Sequence, residues 1–200
     1  MYLIAYDTET TGIFRPNLEL TNPGQPHLVS VSALQVQPGT YRVNQSISLL
    51  VKPNGCDIPD EAIAVHGITT SKARAEGQDE KHVLTQLLHL WADPANLRIA
   101  HNAEFDKNII ASAIARYYGA GELLKAWLAG SDFCTMKESK SIVNAQTKPN
   151  AQGKTRLKNP RLDETFFHFF HETFDNQHSA NADAVAVLNI FRALEADIPF

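Results

Sequence analysis

The sequence predicts a layered α/β or α+β fold in which helices cover one sheet, and three observations carry that reading. Short apolar runs bounded by turn residues fill the first quarter of the chain. Segments with helical spacing then alternate with further short apolar runs. No linker and no internal repeat divides the 200 residues. Strands first, then helices mixed with strands, is the pattern of a sheet packed against helices. A chain of this length buries a sizeable core as one domain, so a single domain over residues 1–200 is expected.

The apolar run Tyr2–Tyr6 ends abruptly in Asp7 and Glu9 and reads as a buried strand. Residues 14–27 carry three prolines and read as a loop. Leu28–Gln37 alternates and gives a second strand, Pro38-Gly39 turns the chain, and Tyr41–Val51 alternates again. Three strands so close in sequence form an antiparallel meander. Pro59 suits a helix start, with a short helix over Asp60–His66. Asp79–Trp91 places Val83, Leu87, Leu90 and Trp91 at helical spacing. Leu97–Ala100 is a short strand that leads into a helix reaching Tyr118. Leu123–Leu128 is helical, Ser131–Thr135 a short strand, and a helix follows toward Val143. Asn144–Pro160 lacks apolar periodicity and reads as a loop, and Arg161–Phe170 and Ser179–Leu194 are the last helices. The aromatic run Phe166–Phe170 is expected to fill core rather than stack on bases.

Composition excludes several classes. With 44% hydrophobic and 20% charged residues the chain has an ordinary globular balance, not a disordered one. No apolar run approaches the ~20 residues of a membrane span, and the first residues lack the features of a secretory signal. Cys56 and Cys134 lie far apart, as in a reducing compartment, so a cytoplasmic location and no membrane partner are expected. The net charge of −4 does not advertise a nucleic-acid binder. Yet residues 137–161 hold seven bases against one acid, Glu138. Lys154, Arg156 and Lys158 there are candidate phosphate contacts, set against the reading of a solvated loop.

The chemistry lies in the acids. Residues two apart on a strand share a face, so Asp7 and Glu9 project together from an element inside the fold. Two adjacent buried carboxylates repel and lose hydration; they need protons, cationic partners or metal ions. Asp106 shares a helix face with Ile109, Ile110 and Ala113, and Asp183 with Ala186, Val187 and Ile190. Two helices thus each turn one aspartate toward their apolar side. Four oxygen ligands without a nearby cysteine suit Mg²⁺ or Mn²⁺ rather than zinc. A pair of such ions supports in-line attack at phosphorus, one activating a water and the other stabilising the leaving oxygen. His178 lies five residues before Asp183; on one helix the two would point ~140° apart. His178 is therefore expected in the loop entering the last helix, with Ser179 as N-cap, where it could take a proton from the attacking water. His66 and His101 read as structural, satisfied by hydrogen bonds.

Asp7-x-Glu9, His101-Asn102-x-x-Phe105-Asp106 and His178-x-x-x-x-Asp183-Ala184, in that order, resemble the three-motif pattern of the DEDDh 3′→5′ exonucleases. That group includes DnaQ-like epsilon-type proofreading subunits, ribonuclease T and oligoribonuclease. His66-Gly67-Ile68-Thr69, Cys134-Thr135-Met136 and the Leu157–Glu164 stretch match as well. The resemblance runs from Tyr2 to about Leu194, and it implies an RNase H-like fold, a mixed sheet flanked by helices. It implies release of 5′-mononucleotides from a single-stranded or frayed 3′ end, DNA favoured over RNA, with a ribonuclease T-type exoribonuclease as the alternative. A non-catalytic nucleic-acid-binding module would show a broken acid set, and here the set is intact. By position, Asp7, Glu9, Asp106 and Asp183 would hold two metal ions and His178 would be the general base; Thr8, Thr10 and Phe105 match positions near the terminal nucleotide. The implied partners are 3′ ends of single-stranded DNA or RNA, with a polymerase or other replication or repair protein also possible. The chain ends directly after the last expected helix, which favours a stand-alone or phage-type nuclease. The Ile13–His27 connection and the Asn144–Pro160 segment depart from the pattern.

Overall fold

A computed structural model describes residues 1–55, 57–174 and 180–197. Five strands, β1 (Leu3–Thr10), β2 (Leu28–Val36), β3 (Val43–Leu50), β4 (Leu97–Ala100) and β5 (Asp132–Cys134), form one sheet in the order β3-β2-β1-β4-β5. The first three are an antiparallel meander, as expected from their closeness in sequence; β4 and β5 add in parallel to β1 and to each other. The helices are α1 (Asp60–His66), α2 (Thr70–Glu76), α3 (Glu80–Trp91), α4 (Ala103–Tyr118), α5 (Glu122–Ala129), α6 (Thr135–Val143), α7 (Leu162–Phe170) and α8 (Ala180–Asp197). Alternation along β1 sends Leu3 and Ala5 to one face, where Leu34, Val36 and Ile99 join them beneath Val187, Leu188 and Phe191 of α8. Ile4 and Tyr6 face the other way, against the apolar stripes of α3, α4 and α5. Both faces of β2 are therefore covered, and every one of its residues is buried. This is a mixed sheet flanked by helices on two sides.

Two buried charged groups fasten this frame. Glu80, in the first turn of α3, accepts hydrogen bonds from the Leu28 amide (2.9 Å), Arg116 (3.0 Å) and the Tyr117 hydroxyl (2.8 Å), and bonds His27 Nδ1 at 2.7 Å. Burial alone would raise its carboxyl; the His27 hydrogen bond, the Arg116 charge and the Leu28 amide outweigh that and hold it below the usual carboxylate range. Arg98 of β4 is buried at the sheet's far side. It forks onto Asp132 (2.7 and 3.0 Å), donates to the Trp127 and Gly130 carbonyls, and lies 4.0 Å over the Trp127 ring. A planar, delocalised guanidinium suits such a site because its donors reach several acceptors at once.

Three expectations change. Helix α2 was not foreseen, since only Ala73 of it is buried and no apolar stripe announces it; Thr69 caps it by accepting from the Lys72 amide at 3.2 Å. Gly77 ends it where a Cβ would lie 2.5 Å from the Lys52 nitrogen, so the chain passes the sheet edge only without a side chain. Residues 144–160 are not a featureless loop but a two-stranded ribbon, with Thr147 N–Arg156 O at 2.8 Å and Lys158 N–Ala145 O at 2.9 Å around a turn at Asn150–Lys154. The aromatics of α7 do not fill core: Thr165 is its one buried residue, and Phe167 is 54% exposed.

The Glu80 network makes a stability prediction. Glu80→Ala leaves Arg116 and Tyr117 facing a void and should cost about 3–5 kcal/mol, a fall in Tm of roughly 10 °C. Arg74→Ala breaks only the exposed pair with Asp57 and should cost less than about 1 kcal/mol. Because the folded Glu80 pKa is depressed, its contribution is present above the ordinary glutamate range and lost as pH falls through the folded value. Thermal denaturation of both variants at pH 7 and pH 4 checks this.

Candidate active site

The alternation that sends Leu3 and Ala5 beneath α8 sends Asp7 and Glu9 to the same side, beyond the last apolar contact. Asp183 stands one turn before Val187, so the packing of α8 brings it over them. Carboxylate oxygens of Asp7, Glu9 and Asp183 lie within 4.8 Å of one another. Ser32 and Ser30 of β2 pair with Asp7 and Glu9 in register, and their hydroxyls are buried with no partner among the described residues.

Asp106 arrives from the other side. β1 pairs with β4 only through Ala5, and beyond that point the two strands part. Helix α4 starts in the opening, through Asn102 in the left-handed region at φ 70°, a conformation asparagine tolerates. Asp106, in the first turn, takes the place of a neighbouring strand: its Oδ1 accepts from the Thr8 amide (3.1 Å) and the Thr8 hydroxyl (2.7 Å). Asp106 lies outside the 4.8 Å trio, but its charge acts on both Asp7 and Glu9.

The electrostatics record the strain. Lost hydration, then the Asp106, Glu9 and Asp183 charges, push the Asp7 carboxyl well above its ordinary value. Burial and the charges of Asp183 and Asp106 push Glu9 up to about 8. Asp106 is pushed up to about 7 by burial, against the lowering effect of the Thr8 hydrogen bonds. Among the described residues no base is a cause of these three shifts. An all-oxygen set, self-repelling and walled by partnerless hydroxyls, fits a hard divalent cation.

Beside Glu9 opens a cavity of about 530 Å³, lined by Thr10, Ile13, Val65, His66 and Phe105 among others. Phe105, expected near a terminal nucleotide, lines this cavity. Thr8 and Thr10 also line it, but both hydroxyls are engaged within the protein, Thr8 on Asp106 and Thr10 on the Gly12 carbonyl at 2.6 Å. Ile13 (80% exposed) and Val65 (60% exposed) were not singled out; an apolar residue at a cavity rim looks the same in sequence as one in the core. His66 was read as satisfied. Its Nδ1 accepts from the Ile68 amide at 3.0 Å, and the Thr10 backbone acts on the ring, although the buried Nε2 falls short of normal hydrogen-bond geometry. His101 is satisfied at both nitrogens: Nε2 donates to the Pro160 carbonyl (3.0 Å), which leaves Nδ1 to accept from Thr135 (3.0 Å). Of the basic candidates, Lys158 is bound to Glu164 at 2.6 Å, whereas Lys154 and Arg156 are exposed with no ion pair among the described residues. His178 and Ser179 lie outside the described residues.

A sequence model of an exonuclease family, RNase T, matches residues 4–191. No curated protein sequence matches the chain. Among solved structures, Escherichia coli Exonuclease I in complex with a dA16 oligonucleotide is similar at a TM-score of 0.71 and 18% identity, over 98% of this chain and 41% of that one. The same enzyme with a dT13 oligonucleotide is similar at 0.71 and 20%, over 98% and 40%. Exonuclease I of Methylocaldum szegediense gives 0.72 and 18%, over 99% and 41%. The chain thus spans about two-fifths of the length of these proteins.

The raised carboxyls set a pH dependence. Each binds its proton more tightly folded than unfolded, so the metal-free protein should lose stability as pH rises from about 4.5 to about 8. Saturating Mn²⁺ at pH 8 should restore it; at 100 times Kd the gain is about 2.7 kcal/mol, or about 5–10 °C in Tm. Glu9→Gln should raise the metal-free Tm at pH 8 by a few degrees, change little at pH 4.5, and remove most of the Mn²⁺ effect. Thermal melts with and without EDTA measure all three.

Proposed function

The chain belongs to the RNase T family of exonucleases, of the DEDD type and the RNase H-like fold, and from that premise we propose that it is a 3′→5′ exonuclease releasing 5′-mononucleotides from single-stranded or frayed 3′ ends. The observation that carries this is the convergence of Asp7, Glu9 and Asp183, with Asp106 beside them, next to a cavity large enough for a nucleotide. DNA is the favoured substrate over RNA, a preference supported by the likeness to enzymes solved with DNA oligonucleotides.

In this mechanism Asp7, Glu9, Asp106 and Asp183 hold two Mg²⁺ or Mn²⁺ ions. When bound, those ions supply positive charge at the scissile phosphate and make the attacking water easier to deprotonate. Thr8 fixes Asp106 by its amide and hydroxyl, so that one oxygen of the carboxylate is held toward β1. The terminal nucleotide sits in the cavity beside Glu9, its base against Ile13, Val65 and Phe105. His178, five residues ahead of Asp183 in the chain, takes the proton of the attacking water. A neutral imidazole is required for that, so the rate rises with pH through the ordinary histidine range, near 6.5.

The test uses a 5′-labelled DNA oligonucleotide with Mg²⁺ or Mn²⁺. A ladder shortening from the 3′ end is expected, abolished by EDTA and by Asp7→Ala, with matched RNA cut more slowly and a closed circle left whole. No cleavage at stoichiometric enzyme, or cleavage of the circle, would sink the proposal. His178→Ala should keep Mn²⁺ binding and lose turnover by about 10²–10⁴-fold, with a flattened pH profile; unchanged turnover removes His178 from the mechanism.

A further inference from the structure

The ribbon at 144–160 and helix α7 behind it meet in a cavity of about 560 Å³, lined by Ala145, Gln146, Glu164, Phe167 and His168 among others. Between Val143 and Arg161 the chain has Lys148, Lys154, Arg156 and Lys158 and no acid, although its total charge is −4. Lys154 closes the turn, and Arg156 and Lys158 flank Leu157, which bridges Gln146 across the ribbon, so those two share one face. Lys158, at the root, is neutralised by Glu164 at 2.6 Å. Lys148, Lys154 and Arg156 are exposed and without an ion pair among the described residues. Phe167 is 54% exposed over the same root. The root itself is fixed: His101 donates to the Pro160 carbonyl at 3.0 Å, five residues before Asp106. The ribbon therefore leaves the protein at a set position relative to the acids.

We propose that the ribbon and the exposed face of α7 form a second single-strand site, which holds nucleotides upstream of the 3′ end; this rests on the exonuclease reading. Phosphates lie against Lys148, Lys154 and Arg156, and a base stacks on Phe167. Unpaired cations beside an exposed aromatic are the combination that binds single strands without reading their sequence. A protein partner fits less well, because the cores of protein interfaces are depleted in lysine. Lys154 lies six residues from the anchored Pro160, at most about 20 Å along an extended strand. In this proposal its contact lies upstream of a trimer held at the acids, a placement that the length dependence of binding tests.

The test is fluorescence anisotropy of 5′-labelled DNA, a trimer and a dodecamer, in EDTA so that no cleavage enters. The wild type should bind the dodecamer more tightly. Lys154→Ala with Arg156→Ala should reduce the salt slope of dodecamer binding by about 1.4, at ~0.7 per phosphate contact on single strands. Phe167→Ala, at an exposed position, should weaken dodecamer binding by roughly 5- to 100-fold, and all variants should bind the trimer within about two-fold of wild type. Unchanged dodecamer affinity and slope in both variants would overturn the proposal. So would equal losses for trimer and dodecamer, or a Phe167→Ala effect confined to self-association of the protein. Absence of cleavage in the ladder assay would refute the exonuclease reading without altering this binding readout.

Discussion

Asp7 and Glu9 cannot move apart. They share one face of a single strand with Leu3 and Ala5, and the strand is fixed by pairing with β2 on one side and β4 on the other. Asp183 cannot withdraw either, because Val187, Leu188 and Phe191 of the same helix are packed into the core. Each such side chain contributes about 1.5–3 kcal/mol when buried. That apolar packing holds carboxylates together which would otherwise separate, and the raised Asp7, Glu9 and Asp106 carboxyls are the sign of the opposing force. The active-site geometry is thus a consequence of core packing one turn away.

The other buried charges sharpen the contrast. Glu80 meets His27, Arg116, Tyr117 and a backbone amide; Arg98 meets Asp132, two carbonyls and two indole rings. Where this protein buries a charge for structure, it supplies the partners itself. At the end of β1 it supplies hydrogen bonds to Asp106 and further negative charge. No base among the described residues acts on Asp7, Glu9 or Asp106, and that is the charge an external cation would bring; the Ser30 and Ser32 hydroxyls beside Asp7 and Glu9, without partners among the described residues, suit a wall that faces bound water or ions.

The parts of this arrangement legible in the sequence are those set by period. Alternation put Asp7 and Glu9 on one face; helical spacing put Asp106 and Asp183 on the apolar sides of their helices; and the meander followed from three alternating runs close in sequence. What escaped has no period to read. Phe166, Phe167, Phe169 and Phe170 fall within an arc of ~160° on the helix, which spacing alone cannot tell from a core face, and the structure leaves Phe167 exposed and the other three half-buried. The ribbon at 144–160 is held by backbone bonds between polar residues, which leave no apolar signature. Ile13 and Val65 became visible only when the cavity between β1 and α1 was closed around them. The motif resemblance located the acids; it carried no information about how the His66 ring is held between the Ile68 amide and the Thr10 backbone, a matter of local geometry.

The most direct test of the central claim, that this cluster is a cation site held under repulsion, is calorimetric titration of the metal-free protein with Mn²⁺ at pH 7 in two buffers of different ionisation enthalpy. Carboxyls raised to about 7 and about 8 are partly protonated there, so binding should release protons and the apparent enthalpy should change with the buffer. Asp183→Asn should weaken binding by at least ten-fold. Binding with no proton release, or binding untouched by that substitution, would contradict the account.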